Sequence, residues 1–145
     1  MLDRFQQIEP KVLIAADGYR WNGKRFDRQA EVERLQAELP TLEKTVLVPL
    51  ITDGAGVDKL EQADLWDELL TSTTAPAALE FEQVPFDHPL WVLYSSGTTG
   101  LPKPIVQGHG GIILEHMKTL RLHLDLKLDD RFFWYTSTGW MMWNF

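Results

Sequence analysis

Residues 90–103 read LWVLYSSGTTGLPK, in which an apolar run passes directly into a loop of serine, threonine and glycine. The apolar part, Leu90–Tyr94 (LWVLY), is typical of a buried strand. Ligands in α/β folds bind at the loops that follow the strands. This stretch therefore predicts that Tyr94–Lys103 (YSSGTTGLPK) is a binding loop at the end of a strand, if the rest of the chain has the pattern of an α/β fold.

Strand and helix patterns alternate through the rest of the chain. Short apolar runs predict strands, and apolar residues at three- to four-residue spacing predict helices. The other predicted strands are Lys11–Ala16, Thr45–Ile51 (weakened beyond Pro49), Pro104–Gln107 and Arg131–Thr136. The predicted helices are Asp27–Leu39, ended by Pro40, then Asp64–Leu70 and Ile112–Leu122. This alternation predicts an α/β domain with a largely parallel sheet.

Composition excludes several classes of protein. The 145 residues amount to about one domain, and 44% of them are hydrophobic, which argues against a disordered or fibrous chain. A formal charge of −7 argues against a nucleic-acid binder, and no apolar run is long enough to span a membrane. With zero cysteines and a charged amino-terminal stretch, the sequence predicts a cytoplasmic protein.

The binding loop has the features of an anion site. Lys103 is the only formally charged residue between Asp87 and Glu115, so no carboxylate of that stretch would repel a phosphate. Glycines permit close backbone approach, and hydroxyl groups donate hydrogen bonds to phosphate oxygens. The predicted phosphate-binding residues are Ser95, Ser96, Gly97, Thr98, Thr99, Gly100 and Lys103. The alternative is a generic polar surface loop.

The pattern SGTTGxPK resembles the phosphate loop of the adenylate-forming superfamily of acyl-CoA synthetases, peptide-synthetase adenylation domains and luciferases. The resemblance implies that the loop holds the β- and γ-phosphates of ATP while a carboxylate attacks the α-phosphate, with Lys103 as a catalytic residue. It also implies the fold of the amino-terminal domain of an acyl-CoA synthetase.

A second stretch, Asp17–Lys24 (DGYRWNGK), resembles a turn that contacts coenzyme A in the acetyl-CoA synthetase branch of this superfamily. The resemblance implies that Arg20 and Lys24 contact the phosphates of coenzyme A, and Trp21 offers a ring that stacks on adenine. This chain has one extra residue in the turn and a lysine in place of the second arginine. A solvated turn with two basic residues is the alternative.

The third stretch, Phe132–Phe145 (FFWYTSTGWMMWNF), resembles the acyl pocket of the same branch, where a Gly-Trp pair limits the pocket to short acids. Together with IEPKVLIAADGYRWNGK and GGIILEHMK, the run GWMMWN is similar to the acetoacetyl-CoA synthetases, which implies acetoacetate, ATP and coenzyme A as substrates. The implied acyl-pocket residues are Gly139, Trp140, Met141 and Met142. A plain core cluster of tryptophan and methionine is the alternative.

Other parts of the superfamily's machinery are missing from this sequence. No metal site is expected, because His109 and His116 have no second ligand at suitable spacing, although His109 is a candidate donor near the phosphates. The Mg²⁺-ligating glutamate, the ribose-binding aspartate and the carboxy-terminal catalytic lysine belong to motifs that the chain lacks. Residues 1–145 are therefore expected to be a fragment of the AMP-binding amino-terminal domain, without the carboxy-terminal domain and inactive alone. An acetyl- or propionyl-CoA synthetase fragment and a non-catalytic nucleotide-binding module are the alternatives.

Overall fold

The computed structural model describes residues 1–54, 56–72, 78–95, 100–137 and 139–144. The chain divides into two compact units, Met1–Leu79 and Glu80–Phe145. No helix within the described ranges is long and apolar enough to cross a membrane.

The first unit contains a parallel three-stranded sheet. Its elements are α1 (Leu2–Phe5), β1 (Val12–Ala16), β2 (Gly18–Trp21), β3 (Lys24–Asp27), α2 (Gln29–Glu38), β4 (Lys44–Val48), β5 (Ala63–Leu65) and α3 (Trp66–Ser72). The strand order in the sheet is β1-β4-β5, and both pairings are parallel. This sheet confirms the predicted α/β class.

The core of this unit lies between the sheet and α2. Leu13 of β1, Val32 of α2, Leu47 of β4 and Leu60 form one buried cluster. Because β1 and β4 are parallel neighbours joined through α2, the helix covers the apolar side chains of both strands. The predicted strands at Lys11–Ala16 and Thr45–Ile51 are confirmed, and β4 ends just before Pro49.

The first predicted helix is confirmed with tighter bounds, since α2 begins at Gln29 and ends at Glu38. The Asp27 side chain accepts a hydrogen bond from the Gln29 backbone N–H at 2.9 Å, which satisfies one of the free donors at the helix start. Leu39 leaves the helical conformation, as expected of the residue before Pro40.

Two parts of this unit differ from the sequence prediction. The predicted helix at Asp64–Leu70 begins only at Trp66, because Ala63–Leu65 pairs with β4 as β5, and the Lys44 ammonium lies 2.7 Å from the Asp64 carboxylate. The strands β2 and β3 form an antiparallel hairpin where a turn was expected. Asn22 and Gly23 both have positive φ, 47° and 74°, which is typical of a two-residue hairpin turn.

The second unit contains an antiparallel pair followed by a helix. Its elements are β6 (Pro89–Ser95), β7 (Lys103–Gly108) and α4 (His109–Lys118), which continues as a π-helical segment, Thr119–His123. The strands predicted at Leu90–Tyr94 and Pro104–Gln107 are confirmed. The strand predicted at Arg131–Thr136 is wrong, since residues 131–137 belong to no strand. Its aromatic residues favour an extended chain, but none of the described residues pairs with it.

Candidate functional site

The two ends of the predicted phosphate loop lie side by side. Ser95, the last residue of β6, is the cross-strand partner of Lys103, the first residue of β7. The predicted residues Ser96–Thr99 lie outside the described residues. Gly100 has a φ of 88°, and a Cβ there would meet open space, so the backbone conformation rather than packing favours glycine.

The charge of Lys103 is available to a ligand. Its side chain is exposed, and it forms no ion pair with any carboxylate in the part of the chain that the structure describes. A lysine fixed at its backbone beside a serine, with an exposed ammonium group that no described carboxylate neutralises, suits a site for phosphate oxygens.

His109 does not lie beside these loop ends. It follows Gly108, which pairs with Pro89 at the opposite end of the hairpin. Gly108 lies five residue steps along β7 from Lys103, a distance of about 17 Å. The His109 ring lies 5.8 Å from the His88 ring. The expectation that His109 donates near the phosphates therefore disagrees with the strand register.

The residues predicted to contact coenzyme A lie at the tip of the β2–β3 hairpin. Trp21 pairs with Lys24 across the turn, and Arg20 pairs with Arg25. All four side chains are exposed, and the Trp21 side chain is 70% exposed. An exposed tryptophan among three basic residues is available for a ligand with both an aromatic ring and negative charge.

The register corrects how these side chains are grouped. Cross-strand partners share a face of a hairpin and successive residues alternate, so Trp21 and Lys24 lie on one face while Arg20 and Arg25 lie on the other. The three residues predicted from the sequence, Arg20, Trp21 and Lys24, therefore do not share a face. Sequence reasoning missed Arg25, although the Asn22-Gly23 turn signal would have paired it with Arg20.

A buried aspartate fixes the base of this hairpin. Asp17, 1% exposed, lies between β1 and β2, and one of its oxygens accepts hydrogen bonds from the backbone N–H groups of Leu50 (2.8 Å) and Ile51 (3.1 Å). The other oxygen accepts from the Thr52 backbone N–H at 2.9 Å and the Thr52 hydroxyl at 2.5 Å. Burial raises the pKa of Asp17, but these four hydrogen bonds outweigh it and lower the pKa below its ordinary value.

The predicted acyl-pocket residues lie on one short turn. The Trp140 backbone N–H donates to the Ser137 carbonyl oxygen at 2.9 Å, and a 3₁₀ turn follows at Met141–Asn144. The Trp134 indole N–H donates to the Met142 carbonyl oxygen at 3.2 Å, which ties the preceding segment to this turn. Gly139 and Trp140 are exposed, the latter 62% exposed, whereas Met141 and Met142 are half-buried. The described residues thus bring the four together but leave the Trp140 ring largely uncovered.

Two further observations bear on ligands. The described residues contain no group of three or more histidine, aspartate or glutamate side chains arranged to hold a metal ion. A cavity of about 620 Å³ in the first unit lies between α1, β1 and α2, and it contains none of the site residues predicted from the sequence.

The similarity to known proteins extends over nearly the whole chain. The family described as AMP-binding enzyme matches residues 1–143. The chain is 40% identical over 148 residues to the acetoacetyl-CoA synthetase of Mus musculus and 42% identical over 144 residues to the acetoacetyl-coenzyme A synthetase of Rhizobium meliloti. Each match covers 99% of this chain and 22% of the relative, so the chain spans about a fifth of the length of these relatives.

A solved structure, the acetoacetyl-CoA synthetase from Streptomyces lividans, is 59% identical and superimposes with a TM-score of 0.88. That match covers 99% of this chain and 21% of the solved chain.

Proposed function

This chain belongs to the AMP-binding enzyme family, and from that membership we propose that it is part of an ATP-dependent acetoacetate–CoA ligase. The proposal assigns it three segments of that enzyme: the phosphate loop at Ser95–Lys103, the coenzyme A hairpin at Gly18–Asp27 and the acyl turn at Gly139–Met142. The observation that carries the proposal is the phosphate loop, whose ends the β6–β7 register joins at the exposed Lys103.

In the proposed first half-reaction, a carboxylate oxygen of acetoacetate attacks the α-phosphorus of ATP. The bond from that phosphorus to the bridging oxygen breaks, and pyrophosphate leaves with the electron pair. Lys103 stabilises the charge that develops on pyrophosphate, while the loop hydroxyls and backbone N–H groups hold its oxygens. Mg²⁺ would neutralise the phosphates when bound, and we place its ligands outside this chain.

In the proposed second half-reaction, the thiol of coenzyme A loses its proton to solvent and the sulfur attacks the acyl carbon of the adenylate. The bond from that carbon to the phosphate oxygen breaks, and AMP leaves with the electron pair. Arg20 and Arg25 are the proposed contacts to a phosphate of coenzyme A. Like charges directly opposite each other destabilise a hairpin, and a bound phosphate between them reverses that repulsion. Trp21 and Lys24 remain candidates for the adenine and a second phosphate on the other face.

The proposed acid is acetoacetate, and the named relatives support this choice over acetate or propionate. Trp140 is proposed as the end wall of the acyl pocket, with Met141 and Met142 beside it. The proposed partners are small molecules only, and the proposed location is the cytoplasm, where a chain with zero cysteines needs no disulfides.

The test uses two proteins. One is the 145-residue chain itself, which is expected to show no acetoacetate-dependent exchange between ATP and pyrophosphate. The other is a chimera in which residues 1–145 of this chain replace the matched segment of the Streptomyces lividans enzyme. The chimera is expected to form acetoacetyl-CoA and AMP.

The outcomes separate the alternatives. If the chimera prefers acetate or propionate to acetoacetate, the preferred acid and not acetoacetate is the substrate. A folded chimera with no adenylation, beside an active parent enzyme, would favour a non-catalytic nucleotide-binding module. Turnover by the 145-residue chain alone would refute the assignment of essential groups outside it.

A further inference from the structure

Arg28 joins the β2–β3 hairpin to the rest of the first unit. Its guanidinium donates to the Tyr19 hydroxyl at 3.2 Å and lies 5.4 Å from the centre of the Tyr19 ring. A second guanidinium nitrogen donates to the Glu31 carboxylate at 2.8 Å, on the first turn of α2. The Arg28 backbone N–H donates to the Asp17 carbonyl oxygen at 2.7 Å. One residue thus contacts the hairpin, the helix start and the end of the sheet.

Tyr19 carries this contact to both strands of the hairpin. Its ring stacks on Phe26, its cross-strand partner, with ring centres 5.0 Å apart and planes 15° apart. The next pair toward the tip is Arg20 and Arg25. By this register the Tyr19–Phe26 pair lies on the same face as Trp21 and Lys24, opposite the arginine pair, so Tyr19 acts on Arg20 and Arg25 through the backbone of the two strands.

The base of the hairpin, at Gly18, is also in close contact with its surroundings. Gly18 is buried, and a Cβ there would overlap the Ile51 side chain and the Phe26 carbonyl oxygen. A two-stranded hairpin is marginally stable without such support. The contacts at Gly18 and Arg28 fix the direction in which the tip projects.

We propose that Arg28 is a positioning residue for coenzyme A: by holding Tyr19 it fixes the backbone of the hairpin, and the backbone holds Arg20 and Arg25 in the orientation that a phosphate requires. The inference rests on the proposed function, since it takes the hairpin to be the coenzyme A contact. Preorganised contacts bind more tightly because less order is lost on binding. Arg28 itself does not touch the ligand in this account.

The experiment measures both half-reactions in the chimera. Arg28→Ala is expected to raise the KM for coenzyme A by about fivefold to tenfold, the scale of losing one hydrogen bond and one cation–π contact. The rate of ATP–pyrophosphate exchange with acetoacetate is expected to stay the same. Tyr19→Phe keeps the stacked ring and loses the hydroxyl, so a smaller rise of about twofold to threefold is expected.

Arg34→Ala is the matched control. Arg34 lies on α2 and its guanidinium forms a 2.7 Å ion pair with Glu38, and among the described residues it makes no hydrogen bond or ion pair with the hairpin. Its removal is expected to leave the KM for coenzyme A and the exchange rate unchanged. Arg28→Lys keeps the positive charge and is expected to recover part of the lost affinity.

Three results would overturn the inference, and they have different meanings. An equal loss in both half-reactions with Arg28→Ala, and no effect of Tyr19→Phe, would mean that Arg28 only supports folding. A raised KM in the Arg20→Ala/Arg25→Ala variant with no change in Arg28→Ala would refute positioning and keep the hairpin as the contact. No change even in the double variant would refute the coenzyme A hairpin itself.

Discussion

Replacing Asp17 with asparagine tests whether this carboxylate holds the end of the parallel sheet together. In the structure its two oxygens accept four hydrogen bonds, from the backbone N–H groups of residues 50, 51 and 52 and from the Thr52 hydroxyl. Asparagine keeps one acceptor oxygen but presents an NH₂ group to the other two donors. The Thr52 hydroxyl can rotate to accept, whereas the Thr52 backbone N–H loses its partner.

The expected loss of stability follows from this count. An unpaired buried N–H costs about 1–3 kcal/mol, and the two hydrogen bonds that remain lose the strengthening of a charged acceptor. The sum is about 2–4 kcal/mol, a large share of the roughly 5–15 kcal/mol that stabilises a typical domain. The matched control is Asp27→Asn. Among the residues that the structure describes, the exposed Asp27 side chain accepts one hydrogen bond, from the Gln29 backbone N–H, and its loss costs less than about 1 kcal/mol.

The dependence on pH has a defined sign. The folded-state pKa of Asp17 is lowered, so its contribution is complete above the unfolded pKa, about 3.9, and is lost as the pH falls through the folded value. Urea unfolding of the 145-residue chain at pH 7 and pH 3 measures the loss of stability and its dependence on pH. Amide hydrogen exchange at residues 50–52 measures the local loss of protection. The reasoning is refuted if Asp17→Asn costs no more than Asp27→Asn at pH 7, or if the difference does not shrink in acid.

Two further predictions concern the proposed enzyme and use the chimera. Lys103→Ala is expected to slow adenylate formation by about 10²-fold or more, the scale of losing one preorganised charge, with the KM for coenzyme A unchanged. Lys118→Ala is the control, since the Lys118 ammonium already pairs with Glu115 at 2.7 Å. If the ATP–pyrophosphate exchange rate of Lys103→Ala stays within threefold of the unmodified chimera, Lys103 is an ordinary loop residue. Trp140→Gly is expected to shift preference toward longer acids by about threefold to fourfold per added methylene and to weaken acetoacetate use. The kcat/KM values for butyrate, hexanoate, octanoate and acetoacetate measure this shift. Trp143→Gly is the control, and circular dichroism checks that each variant is folded. An unchanged order of preference in a folded Trp140→Gly variant would assign Trp140 to the core.

The sequence by itself determined the elements whose signal is local. Each of these patterns is contained in a short stretch of sequence: the apolar runs of β1, β4 and β6 and the spaced apolar positions of α2. Pro40 and Pro49 follow the ends of α2 and β4. The glycine and hydroxyl pattern around Lys103 is equally local, because anion binding by a loop depends on residue types at short spacing. These features can therefore be predicted from the sequence without knowledge of the tertiary structure.

Only the tertiary structure decided which segments pair. Asp64 and Leu65 carry a helical pattern, yet they join the sheet because β4 offers them backbone partners. Residues 131–137 carry a strand pattern, yet none of the described residues pairs with them, so they form no strand. A strand exists only through hydrogen bonds to another segment, and local propensity does not specify that segment.

In the candidate site, too, the sequence shows the residue types and the tertiary structure decides which of them lie together. The residue types of the hairpin were visible in the sequence, but the register across Asn22-Gly23 sets which side chains share a face, and it groups Arg20 with Arg25 rather than with Lys24. Asp17 reads as the end of a strand in the sequence, while in the fold it is the buried acceptor for a loop more than thirty residues away. Such partners meet only after the chain has folded, because burial and long-range hydrogen bonds are properties of the packed molecule and not of any short stretch of its sequence.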